Sequence, residues 1–419
     1  MKAIDAGLLI DGSGTTAREC ARLLIENGRI VRIEEGWGSD LPEGCEYIRA
    51  HEQTAMPGLI DCHVHVAFDG SDSSQPVWGQ NPITEMLPGT LAYRAYRHAL
   101  ADLHAGFTAI RDMHCFDFVD VSLRDAINAG ELDGPRISAS GYGLTSTNGH
   151  MDPTKGLRPD VAFTGRFNNV VDSADEARKA VRGLIKMDVD HIKINVGRGQ
   201  RGIQKRLIFA PEMQLDVIQA ICDEAHACGR KVAAHSLGGQ GERWAVEAGV
   251  DSLEHAHFVD EDTLRAMADR GTYLVPTMTH CVRNMRIETQ HEKEAPPDRP
   301  EEGFMAFAYR SMMSMLEKAI VLGVRIGLGT DAGADHVPHG SNAFELEALM
   351  MAGFSPMQAL VAATRTGAEI LGLEDEIGAL APGKRADLLL VDGNPLKDVR
   401  ILQESANLRV FKDGKEVQA

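Results

Sequence analysis

Hydrophobic and polar positions change their period along the chain. Within residues 1–56 they alternate residue by residue, as in Leu23-Leu24-Ile25-Glu26-Asn27-Gly28-Arg29-Ile30-Val31-Arg32-Ile33. A period of two marks a half-buried strand, and Asn-Gly favours the left-handed turn that closes a tight hairpin, so a β-hairpin is expected here. The same texture returns near the C-terminus, in Ala386–Asp392 and Leu408–Lys415. Both chain ends are therefore expected to meet in one small β-sandwich domain, residues 1–56 and 381–419.

Residues 57–380 read differently. Short apolar runs alternate with amphipathic helical stretches, the pattern of a parallel α/β fold, and the expected architecture is a (β/α)8 TIM-like barrel. Strands are expected at Leu59–His65, Thr108–Asp112, Arg136–Ser140, His191–Val196, Lys231–His235, Ser252–His255, Tyr273–Pro276 and Arg325–Thr330. Helices such as Met213–Cys228 and Glu261–Arg270 fall between them, and glycines such as Gly106, Gly229, Gly271 and Gly323 stop helices before the next strand. Glu292–Gly303, with three prolines and many charges, is expected to be a surface loop.

Charge and cysteine usage narrow the class. The 419 residues carry 43 Lys and Arg against 61 Asp and Glu, a formal net charge of -18, which argues against nucleic acid or an anionic membrane as partner. Seven scattered cysteines without a Cys-x-x-Cys pair fit a reducing compartment. No run reaches the ~18 apolar residues of a membrane span, and no export signal is read at the N-terminus, so a cytoplasmic protein is expected.

The chemistry sits at strand ends. Pro57-Gly58-Leu59-Ile60-Asp61-Cys62-His63-Val64-His65 closes an apolar run with two histidines whose side chains share a strand face. Lys193, His235, His255 and Asp331 end later strands, all on the C-terminal side where such barrels carry their chemistry. Lys193 lies between Ile192 and Ile194, where an unpaired ammonium is costly to bury, and Asp331 in Gly-Leu-Gly-Thr-Asp-Ala-Gly needs a cation or several donors. Together these residues read as a metal site. His257 shares strand parity with His255 and is the competing candidate there.

On these motifs the chain resembles the amidohydrolase superfamily over essentially its whole length, within the imidazolonepropionase-related branch that includes prolidase-like dipeptidases and ochratoxinase. Pro57 to His65 matches the first-strand metal motif, Ile192-Lys193-Ile194 the strand whose lysine is carbamylated, Ala234-His235 and Glu254-His255 the fifth and sixth strand ligands, and Gly329 to Gly333 the eighth. Gly378 to Asp392 matches the return to the small domain. The resemblance implies two divalent metal ions, zinc by expectation. His63, His65 and Asp331 would hold one, His235 and His255 the other, and a carbon dioxide-derived carbamate on Lys193 would bridge them. Paired metals lower the pKa of a shared water from ~15.7 toward ~7, and Asp331 would take its proton and pass it to the leaving nitrogen.

Substrate recognition is expected in the loops. His150, in Gly141–Pro153, falls in a segment resembling the branch's substrate loop, although Met-Asp replaces Gly-Asp there. Arg198 and Arg201, with Lys205 and Arg206, make a basic run after Lys193 suited to an anionic substrate end. Leu237 stands where prolidase-like relatives carry a Tyr, which places Xaa-Pro dipeptidase activity in doubt; His280, Arg283 and His339 are candidates to compensate. Phe68 and Trp78 are read as packing or as an apolar pocket wall. The expected function is hydrolysis of an amide or peptide-like C-N bond in a small, carboxylate-bearing molecule, by a homo-oligomer. A carbamate, urea or lactone hydrolase and a catalytically inactive scaffold are the alternatives.

Overall fold

The computed structural model describes residues 1–38, 40, 41, 43–71, 86–152, 166–199, 208–294 and 303–418. Trp78, Arg201, Lys205, Arg206 and most of the 292–303 loop lie outside these described residues.

The two chain ends meet in one seven-stranded sheet. Its order runs Lys415–Glu416, Leu408–Lys412, Leu388–Asp392, Glu46–Pro57, Lys2–Leu9, Arg18–Glu26, Arg29–Glu35. The junction is antiparallel pairing of Leu388–Asp392 with the end of Glu46–Pro57, in register Leu390 to Ala55. Asn27 and Gly28 take φ of 52° and 76°, the left-handed pair a two-residue hairpin turn requires, between partners Glu26 and Arg29. Ile4, Leu23, Ile25 and Ile30 pack with Leu388, Leu390 and Phe411 in a core of their own. Buried Arg22 grips Asp5 through Nε at 2.6 Å and Nη2 at 2.8 Å.

Glu46–Pro57 passes through Gly58 directly into Leu59–Val64. A Cβ on Gly58 would lie 2.1 Å from Thr108 Oγ1, so glycine is what lets the next strand approach. Leu59–Val64, Phe107–Asp112 and Arg136–Ser138 form one parallel sheet. A second has the order Tyr273–Val275, Ser252–His255, Lys231–Ser236, His191–Asn195, Gly143–Thr145, Asn168–Val170. Its last two strands, three residues each, are too short to show a period in the sequence. Helices cover the faces, including Leu215–Ala227 and Glu261–Arg270, the latter closed by Gly271 at φ 77°. With both faces covered, strand residues are buried without alternation.

The expected eighth strand, Arg325–Thr330, is not a laddered strand. Its backbone instead joins the edges of both sheets: Leu274 N donates to the Arg325 carbonyl and Cys62 N to that of Leu328, each at 2.9 Å, and Asp331 N donates to the His63 carbonyl at 2.8 Å. The packing here is close enough to require glycine, since a Cβ on Gly329 would meet Val275 Cγ1 at 2.3 Å and His63 Cβ at 2.9 Å. Among the described residues no helix is long and apolar enough to cross a membrane.

Candidate metal centre

The C-terminal ends of these parallel strands converge on one cluster of imidazoles and carboxylates. His63 closes the first strand, and His65 follows just beyond it. Both rings reach one oxygen: Asp331 Oδ1 lies 3.4 Å from His63 Nε2 and 3.1 Å from His65 Nε2. Neither contact has the alignment of a hydrogen bond, and that buried oxygen has no such partner among the described residues. His63, His255 and Asp331 each offer a ligand atom, all within 4.8 Å of one another.

The outer nitrogens are fixed. His63 Nδ1 lies 2.9 Å from Glu254 Oε2, and His255 Nδ1 lies 2.7 Å from Thr277 Oγ1, which leaves each Nε2 for the centre. His235 joins through its ring, 4.6 Å from that of His255, with Nε2 buried and unpartnered among the described residues. Lys193 is 2% exposed among them. His255 and Asp331 hold φ of 66° and 65°, left-handed backbone that non-glycine residues rarely adopt and that costs on the order of 1–3 kcal/mol.

Electrostatics favour a cation here. Burial, reinforced by Lys193, pushes His63 down to about 4, and burial with neighbouring imidazoles holds His235 and His255 well below the usual range, so all three are neutral with lone pairs available. Burial raises Asp331, but His63, His65 and His255 outweigh it and keep the carboxyl well below its ordinary value. Lys193 is lowered to about 8 by burial, against the pull of Glu254 and Asp331. Glu254 is opposed by burial yet held at about 2 by Arg111 and His63. Neutral imidazoles, an anionic Asp331 and orphaned buried atoms facing one space fit a metal ion.

The surrounding residues fall in less expected places. His150 stacks on His235, ring centroids 4.1 Å apart, and its backbone N donates to Glu212 Oε2 at 2.7 Å. Arg198 donates through Nη1 to the Asn148 carbonyl at 2.9 Å and so braces that loop, while its Nε is buried without a partner among the described residues. His280 is half-buried on helix Met278–Glu294, within electrostatic range of His257. His339 corrects the expectation of a substrate contact: Nδ1 lies 2.8 Å from Asp102 Oδ2, Nε2 lies 3.1 Å from the His65 carbonyl, and the ring stacks on His98. It is a brace beneath His65. Leu237 is buried, Arg283 lies over the ring of Phe344, and Phe68 packs on His65, Phe116 and Phe167.

Sequence reasoning missed Glu254, Arg111, Glu212 and His114. Glu254 accepts from Arg111 Nη2 at 2.9 Å and from Ser252 Oγ at 2.5 Å as well as meeting His63. Strand parity sets Glu254 opposite His255; the left-handed turn at His255 is what lets both address the same centre. An acid directly before the strand-ending His255 was the available signal. His114, buried beside His65 with Nε2 unpartnered among the described residues, follows the strand Phe107–Asp112.

Comparison with known proteins agrees with this geometry. A model of the amidohydrolase family matches residues 54–417. Ochratoxinase of Aspergillus niger is 30% identical over an alignment covering 98% of this chain and 85% of its own. Imidazolonepropionase of Geobacillus kaustophilus is 25% identical, covering 93% of this chain and 85% of the relative. The crystal structure of a Xaa-Pro dipeptidase with bound methionine in the active site is 31% identical, with TM-score 0.85 and 100% of both chains covered.

Proposed function

The chain belongs to the amidohydrolase family, and from that premise we propose that it is a binuclear hydrolase cleaving an amide or peptide-like C-N bond of a small, carboxylate-bearing molecule. The observation that carries the reading is Asp331 Oδ1, buried within 3.4 Å of two imidazole nitrogens but hydrogen-bonded to neither. His63, His65 and Asp331 would hold one divalent ion, His235 and His255 a second, with zinc suited to the nitrogen and oxygen donors. Bound there, the metals would supply Lewis acidity and an acidic water.

The remaining work belongs to the chain's own side chains. Asp331, kept anionic, is placed to accept a proton and return it to the departing nitrogen. Glu254 and Thr277 orient His63 and His255. Lys193, lowered to about 8, has more neutral amine than an exposed lysine, and that lone pair can attack carbon dioxide. The N–C bond forms, the amine proton leaves, and a buried cation becomes an anionic two-oxygen group. Arg198 Nε is the described donor suited to a substrate carboxylate. The same reading takes Leu59–Val64, Phe107–Asp112, Arg136–Ser138, His191–Asn195, Lys231–Ser236, Ser252–His255, Tyr273–Val275 and the 325–332 segment as one closed eight-stranded barrel, and the seven free cysteines support a cytoplasmic setting.

Metal analysis with a panel of N-acyl amino acids and dipeptides tests this. About two equivalents of metal are expected, with activity lost on chelation and regained with zinc. Undiminished activity in metal-stripped protein, or none on any amide in metal-loaded protein, overturns it.

A further inference from the structure

Beyond the metal centre a run of rings leads outward. The ring of His255 is 6.1 Å from that of His257, which is 6.2 Å from Phe258. Phe258 is a hub: Phe209 stands 5.7 Å away edge-on, Phe304 6.0 Å away, and Phe307 5.1 Å away in a stacked pair. The four phenylalanines come from three separate segments, yet Phe209 and Phe307 remain 52% and 49% exposed. Apolar rings gathered from distant segments and left open to solvent are uncommon unless something covers them. The second observation is His257: the residue is 3% exposed, and both ring nitrogens are buried without a hydrogen-bond partner among the described residues. A buried imidazole left unbonded is costly, typically ~1–3 kcal/mol, and a polar group of a ligand reaching it from the metal centre would relieve that cost.

We propose that His257, Phe258, Phe209, Phe304 and Phe307 form a substrate subsite that takes a flat aromatic group linked to the scissile amide through a polar, uncharged atom. The inference rests on the hydrolase reading above and names its substrate class. Continuity with His255 makes the occupant part of the molecule held at the metals. Imidazole suits a neutral partner, since it offers one donor and one acceptor and no fixed charge.

The experiment compares kcat/KM for N-(2-naphthyloxyacetyl)-L-alanine and N-acetyl-O-(2-naphthyl)-L-serine, in which an ether oxygen links the ring, with that for N-acetyl-L-alanine, using metal-loaded protein. Burying the added ring should favour at least one naphthyl substrate by roughly tenfold to a hundredfold. Phe258→Leu and Phe307→Ser should each cut that ratio at least fivefold. His257→Leu should raise KM for the preferred substrate more than it lowers kcat, and His257→Gln, which keeps a donor and an acceptor, should recover part of the loss. Equal kcat/KM across the substrates, or a ratio untouched by the variants, overturns the subsite. A change of oligomeric state in Phe307→Ser with the ratio intact assigns the patch to contact between copies and overturns it too. If no amide is cleaved, the hydrolase reading fails instead, and fluorescence titration with 2-naphthylacetamide decides the subsite. Saturable binding weakened tenfold in Phe258→Leu supports it, and no binding removes it.

Discussion

Replacing Glu254 by Gln removes one negative charge at the point where the fold meets the candidate metal centre. The carboxylate is fully buried and serves three partners: His63 Nδ1 at 2.9 Å, Arg111 Nη2 at 2.9 Å and Ser252 Oγ at 2.5 Å. Gln keeps one acceptor oxygen and turns an NH2 toward either Arg111 or His63, each of which also donates. Arg111, 2% exposed, is left without its anion, and breaking such a buried pair costs about 3–5 kcal/mol. His63 loses the acceptor that fixes its tautomer, which typically lowers metal affinity by about 10- to 100-fold. The two losses separate in the double variant Arg111→Leu/Glu254→Leu, where no buried charge is orphaned and stability should return to within about 2 kcal/mol of wild type while metal affinity stays low. Urea unfolding of the metal-stripped proteins reads the first effect, and zinc competition against a chromophoric chelator reads the second. Wild-type zinc affinity in Glu254→Gln, or affinity that recovers together with stability in the double variant, would refute the reasoning.

Asp331→Asn should retain the fold and lower kcat by ~100- to 10,000-fold, because an amide cannot accept the proton; more than a tenth of wild-type turnover would contradict the role. Lys193→Ala should lose bound metal on dialysis, with a short carboxylic acid in the buffer restoring part of it, and mass spectrometry of native protein should show a carbon dioxide adduct that vanishes in the variant. His339→Phe should cost on the order of 1–3 kcal/mol in unfolding through the lost Asp102 and His65 contacts, with stability moving before substrate KM does. Burial raises the Asp5 carboxyl, but hydrogen bonds from Arg22 and Tyr47 outweigh it and hold the folded value below the ordinary one. The unfolded chain therefore binds that proton more readily, so the pair stabilises above about pH 3.9 and the benefit fades as pH falls through the folded value. Asp5→Asn should destabilise clearly at pH 7 and much less near pH 2 in urea titrations.

Local rules carried the sequence reading a long way. Period-two alternation with Asn27-Gly28 located the N-terminal hairpin, and apolar runs located seven parallel strands to within one or two residues, because turn chemistry and burial on both faces are written in neighbouring residues. A histidine pair, a lysine in an apolar strand and an acid among glycines marked which strand ends bear chemistry. What they touch was not legible. Period assigns a face within one element but says nothing about which face of another element it meets, and His63 and Glu254 are 191 positions apart. The left-handed backbone at His255 broke the parity rule, the eighth segment bonded to the edges of both sheets without forming a ladder, and Asp102 and the His65 carbonyl hold His339 as a brace. Sequence alone determined the order of the main elements and which side chains are candidates for the chemistry. Tertiary packing decided their distances, their protonation and the run of ring contacts beyond His255, because each depends on groups brought together through space.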